Sequence, residues 1–132
     1  MKKFLAAAMA AGAMLLATAA KPAGDPAVEF AETVHDFGTV AEDGGNVSCE
    51  FAFTNTGEAP LLILNATASC GCTMPKFPKQ PVAPGKSGRI KVTYNPKGRP
   101  GEFDKTVTVR TNVKQQKKVT LKIKGFVSPA KH

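Results

Sequence analysis

The chain has 132 residues, 42% of them hydrophobic, with 18 lysines and arginines against 10 aspartates and glutamates, a formal charge of +8 at pH 7. That length supports one modest core and excludes two independent domains. The basic residues are dispersed and lack the aromatic interleaving of a base-stacking platform, which argues against specific nucleic-acid binding and leaves long-range attraction for anionic glycans or lipid headgroups.

Residues 1–20 read as an export signal: Lys2-Lys3, an apolar run from Phe4 to Leu16, then Ala17-Thr18-Ala19-Ala20 with an A-x-A cleavage site. The run is shorter than the roughly 20 apolar residues of a bilayer span. No cysteine follows it at once to carry a lipid, and no later segment is apolar enough for a membrane helix. The expectation is a mature chain over residues 21–132, starting near Ala20 or Lys21, periplasmic or secreted and not membrane-spanning. A start-transfer helix that stays attached is the competing reading. Loss of Lys2 and Lys3 leaves a mature surface that is still basic.

Weak extended runs at Val28 to Phe30 and Thr33 to Phe37 come first. His35-Asp36 invites a catalytic reading, but neighbours on a strand point to opposite faces. An Asp36 side chain bonded to the Gly38 or Thr39 amide explains the pair better. Gly44-Gly45 is turn chemistry, with no helix after it to make a phosphate loop. From Val47 the period is two: Val47, Cys49, Phe51 and Phe53 face one way, Ser48, Glu50, Ala52 and Thr54 the other. Asn55 to Pro60 supplies a turn before the run Leu61 to Ser69.

After the cysteines, prolines stand at 75, 78, 81 and 84. They lack amide donors and hold the backbone near polyproline II geometry, which predicts a stiff extended crossover or edge segment. Pro84-Gly85 predicts a type II turn with positive φ at the glycine. Ile90, Val92 and Tyr94 then alternate with polar residues, as do Val107 and Val109, and finally Val119, Leu121 and Ile123 alternate with Lys118, Thr120, Lys122 and Lys124. Lysines on a terminal strand suggest a protected sheet edge. About seven alternating strands in roughly 100 residues predict an all-β, antiparallel immunoglobulin-like sandwich. The cysteine-tryptophan-cysteine pin of antibody domains is missing, because the chain has no tryptophan.

Several motifs together carry a family resemblance: His35-Asp36-Phe37-Gly38-Thr39-Val40, Phe51-x-Phe53-x-Asn55-Thr56-Gly57, Pro60-Leu61, Ser69-Cys70-Gly71-Cys72-Thr73, Pro84-Gly85 and Tyr94-Asn95. The chain resembles an uncharacterised family of exported bacterial proteins called domain of unknown function 1573, with Ser-Cys-Gly-Cys-Thr as the most specific part of the likeness. The resemblance covers nearly all of the mature chain. It implies an immunoglobulin-like sandwich in the style of the Hydin and major sperm protein domains, which mostly serve as binding modules, and it implies no established activity. Cys49 lies outside those motifs.

The three thiols are weighed on their own geometry. Cys49 shares a face with Phe51 and Phe53 and is expected to be a buried, unpaired core residue. If the strands before and after the Asn55 turn run straight, Cys49 and Cys70 differ in level by about 13 Å, beyond the roughly 7 Å Cα limit of a disulfide. Cys70 and Cys72 share parity in an extended chain, and three states are open to them. A Cys70–Cys72 disulfide needs the backbone to contract at Gly71. With Met74, the two thiolates offer soft sulfur ligands suited to Cu(I), whereas zinc lacks ligands beyond His35 and His132. A structural staple or packed pair is the third state, and Lys76 is the nearest cation that would activate a redox thiol. The function expected is a non-enzymatic exported binding or structural module of the cell envelope, with an envelope protein or anionic glycan as partner. The alternative is a periplasmic copper-binding or thiol-redox protein built on Cys70-Gly71-Cys72.

Overall fold

The structure, a computed structural model, describes residues 24–130; the expected export signal and cleavage site within residues 1–23, together with Lys131 and His132, lie outside the described residues. Alternating side chains produce eight strands: β1 (Val28–Phe30), β2 (Val34–Ala41), β3 (Val47–Asn55), β4 (Ile63–Ala68), β5 (Thr73–Lys76), β6 (Ser87–Tyr94), β7 (Gly101–Thr111) and β8 (Lys118–Ser128). They form two four-stranded sheets, ordered β1-β3-β6-β5 and β2-β8-β7-β4. Among the described residues no helix is long and apolar enough to cross a membrane.

The inward sets expected from period two are the ones that meet between the sheets. Phe51 and Phe53 of β3, Ile90, Val92 and Tyr94 of β6, Val107 and Val109 of β7, and Leu121 and Ile123 of β8 are buried in one cluster. Each such aliphatic or aromatic side chain contributes about 1.5–3 kcal/mol by leaving water. Tyr94 stacks on Phe103 with ring centroids 4.1 Å apart, tying the two sheets together.

The all-β immunoglobulin-like sandwich is as expected, and three details differ. The described residues form eight strands where about seven were expected, because Thr73–Lys76 pairs with β6 as a short strand of its own. The sandwich is mixed and not wholly antiparallel: β2 runs parallel to β8, Val34 opposite Lys122 and Val40 opposite Val127. For the same reason the last strand is not a sheet edge, since β2 covers its outer side. Its lysines keep the outer face of an interior strand soluble, and Lys122 reaches Asp104 at 3.5 Å.

The turn expectations hold. The Gly38 amide donates to Asp36 Oδ1 at 2.8 Å, and Gly38 adopts φ 71°, a left-handed conformation that suits glycine. Gly85 has φ 81°. In β4 the register shifts between Ile63 and Asn65. Leu61 and Ile63 therefore point inward, Leu64 is left 55% exposed, and Ala66 and Ala68 take over the inward face.

Candidate functional site

β4 and β5 are edges of opposite sheets, so residues 69–72 carry the chain across the side of the sandwich. Ser69 holds the near end: its amide donates to the Thr106 carbonyl at 3.0 Å, and its Oγ accepts from the Thr106 amide at 3.2 Å. Gly71 then sits in a tight turn in which the Thr73 amide donates to the Cys70 carbonyl at 3.1 Å. This contraction brings the Cys70 and Cys72 sulfurs into direct contact, with Cα atoms 5.2 Å apart. The Cys72 amide donates to Cys70 Sγ at 3.0 Å. At the far end the Cys72 carbonyl accepts from the Asn95 amide at 2.9 Å, which fastens the corner to the end of β6.

The candidate ligands differ in exposure. Cys72 is buried at 3% exposure, whereas Met74 is 43% exposed and follows the buried Thr73, on the solvent face of β5. The corner brings the Cys70 and Cys72 sulfurs together. Among the described residues no group of three or more histidine, cysteine, aspartate or glutamate side chains is placed to hold a metal ion. His35 stacks edge-on against Phe37, while the Asp36 carboxylate is taken up by Gly38, so the two do not act on one group.

Cys49 is free and buried, as expected. Burial, and secondarily the neighbouring Glu50 carboxylate, pushes its thiol up to about 11. The reason it stays unpaired differs from the hairpin count above, because β3 and β4 lie in different sheets. Instead β6 stands between Cys49 and the strand that follows the corner, Val47 and Thr73 both opposing Tyr94. Two strand spacings of about 4.8 Å each exceed the reach of a disulfide.

A second feature adjoins the corner. β5 and the segment after it line a surface cleft with β6 in which Lys76, Lys79, Arg89 and Lys91 surround Pro75 and Phe77. Lys76 is directly opposite Lys91 in the register. Arg89 reaches the Glu50 carboxylate at 3.3 Å, and Lys79 Nζ rests 4.5 Å from the centre of the Phe77 ring.

A family model described as protein of unknown function (DUF1573) matches residues 28–127. The chain belongs to that family. A search of curated proteins gives no match. Among solved structures, the chain is similar to a protein of unknown function from Porphyromonas gingivalis W83, with TM-score 0.69, 18% identity, and 82% of this chain and 50% of that one covered. The chain thus spans half the length of that structure. It is also similar to the ASH/PapD-like domain 7 of human CEP192, with TM-score 0.61, 16% identity and coverage of 84% and 91%. A third likeness is to the periplasmic chaperone SfaE, with TM-score 0.53, 15% identity and coverage of 80% and 59%. These likenesses establish an immunoglobulin-like, PapD-like fold for the DUF1573 chain, as its sequence implied.

Two features of this family member escaped the sequence reading. The cleft did, because its lysines are far apart along the chain and only the β5–β6 register joins them. So did Asn55, read as a turn residue. Asn55 is fully buried, and its Nδ2 donates to the Ala59 and Val82 carbonyls at 2.8 and 2.9 Å. Its Oδ1 accepts from the Gly57 amide at 2.9 Å. The only signal was its place just after the inward Phe51 and Phe53, on the same parity.

Proposed function

We propose that the chain is an exported, non-enzymatic binding module of the cell envelope, periplasmic or secreted, whose Cys70–Cys72 corner is a disulfide staple and whose partner is an envelope protein or an anionic glycan. The observation that carries this reading is how fully the corner is built into the framework. Ser69 is bonded twice to Thr106, Cys72 is buried, and Asn95 holds the Cys72 carbonyl. A working thiol needs exposure and an activating charge. A staple needs neither. Export is supported by the order of charge, apolar run and small residues over 1–20, and by the oxidising compartment that a lasting sulfur link requires. The chaperone-like fold supports protein or glycan binding by analogy alone.

One contact favours a second reading. The Cys72 amide aimed at Cys70 Sγ would stabilise a Cys70 thiolate after reduction, and Cys70 is only half-buried. Thiol-redox exchange is therefore the alternative, and a copper site that adds Met74 to the two sulfurs is a further one.

Intact mass of the purified mature protein, with thiol alkylation and metal analysis, separates these. The disulfide mass, no bound metal, and no alkylation of Cys70 or Cys72 without strong reductant are expected. Bound copper, or a link that equilibrates readily with glutathione, would replace the staple by the metal or redox reading.

A further inference from the structure

Resting on the binding-module reading and deepening it, the geometry points to the cleft on the outer face of the β1-β3-β6-β5 sheet as a binding site for an acidic polysaccharide, held by Lys76, Lys79, Arg89 and Lys91. The charge arrangement is the first reason. Lys76 and Lys91 are exposed and directly opposite one another on neighbouring strands. Like charges in that position destabilise a sheet. The carboxylate that the register brings beside them, Glu50 opposite Lys91, is engaged by Arg89 at 3.3 Å. Lys79 is held at the mouth of the cleft by its seat over Phe77, 4.5 Å from the ring centre. No carboxylate is among the residues lining the cleft. The sheet thus carries surplus positive charge at one place, and an anion relieves it.

The edge chemistry decides between a sugar polymer and a peptide. The Asn95 amide donates to the Cys72 carbonyl, so even-numbered residues of β5 bond to β6 while odd-numbered amides face the free edge. Of those, the Thr73 amide is taken by the Cys70 carbonyl, and Pro75 has none. Adding a peptide strand needs main-chain donors. β5 offers none. Recognition is left to cations and to the half-buried apolar rings of Pro75, Phe77 and Pro78. A sugar chain suits that surface, laying C–H faces on the rings and presenting carboxylates or sulfates to the lysines. Repeated anions along the polymer also raise the encounter rate with a basic surface.

The test uses the mature protein and immobilised polygalacturonate at about 0.15 M salt, with neutral dextran and polyglutamate as comparisons. Retention on polygalacturonate, none on dextran and weaker retention on polyglutamate are expected. Lys76→Gln with Lys91→Gln should lower affinity about tenfold or more. Lys117→Gln with Lys118→Gln removes the same charge from β8 and its approach, and should change affinity by less than about twofold. Circular dichroism confirms that both variants are folded. The inference is overturned by equal losses in the two variants, by polyglutamate binding as tightly as polygalacturonate, or by no retention at all. The thiol and metal analysis is independent of these outcomes, so metal or redox-active thiols found there would remove the staple reading while cleft binding stood.

Discussion

Asn55 shows how much one buried polar side chain does in this fold. Its amide joins the end of β3 to the Ala59 and Val82 carbonyls while its oxygen takes the Gly57 amide, so the turn after β3 and the proline segment are held by one residue. Asn55→Ala leaves those backbone groups buried without partners and should cost about 3 kcal/mol. Urea denaturation measures it; a cost within experimental error would mean that the bonds are replaced by solvent. Cys49 acts at the same scale through packing. Cys49→Ala should cost about 1 kcal/mol through a small cavity, and Cys49→Ser more if its hydroxyl finds no partner. The pH dependence has a definite sign. The folded thiol is raised from 9.0 to about 11, so between those values the unfolded chain releases its proton first, and folding stability falls as pH rises. Cys49→Ala lacks that loss. The stability gap between wild type and Cys49→Ala should therefore narrow from pH 9 to about 11, as followed by denaturant midpoints.

At the scale of the element, β5 and its corner behave as a unit. The corner clips the start of β5 to β7 through Ser69 and to the end of β6 through Asn95. Cys70→Ser with Cys72→Ser removes the proposed link, which closes only a very short loop, so by loop-closure entropy the loss should be about 1–2 kcal/mol. Denaturant midpoints of the double variant and of the wild type under reductant should agree. A much larger loss in the variant would show that the sulfurs pack as well as link. Pro75 closes the edge: Pro75→Val restores an outward amide, and concentration-dependent association measured by light scattering should increase. No change in association would mean that the proline segment already covers the edge. Period-two alternation located β3, β6, β7 and β8 and most of their inward residues, though not Phe103 or Val127. It missed the phase change in β4, because a bulge between Ile63 and Asn65 alters pairing without altering composition.

For the whole molecule, export and fold are tested together. N-terminal sequencing of exported protein should find a start near Ala20 or Lys21, and far-UV circular dichroism of the mature chain should be that of a strand-dominated protein. An uncleaved start would return the leader to the attached-helix reading. The two sheets meet through Tyr94 on Phe103 and through the inward faces of β3, β6, β7 and β8. Loosening that contact should expose both sheets at once, as expected for a domain with one core.

The sequence by itself determined the sandwich class, the inward set of the long strands, the Asp36 and Gly85 turns and the buried Cys49, because each follows from side-chain period or from local backbone chemistry within a few residues. It also limited Cys70 and Cys72 to a few states. Only the tertiary structure decided which strands are neighbours. That placed β2 parallel to β8, took the last strand off the sheet edge and set Lys76 against Lys91. Pairing between strands far apart in the chain depends on how the whole core closes, and alternation along a single strand says which face is buried but not which strand lies beside it.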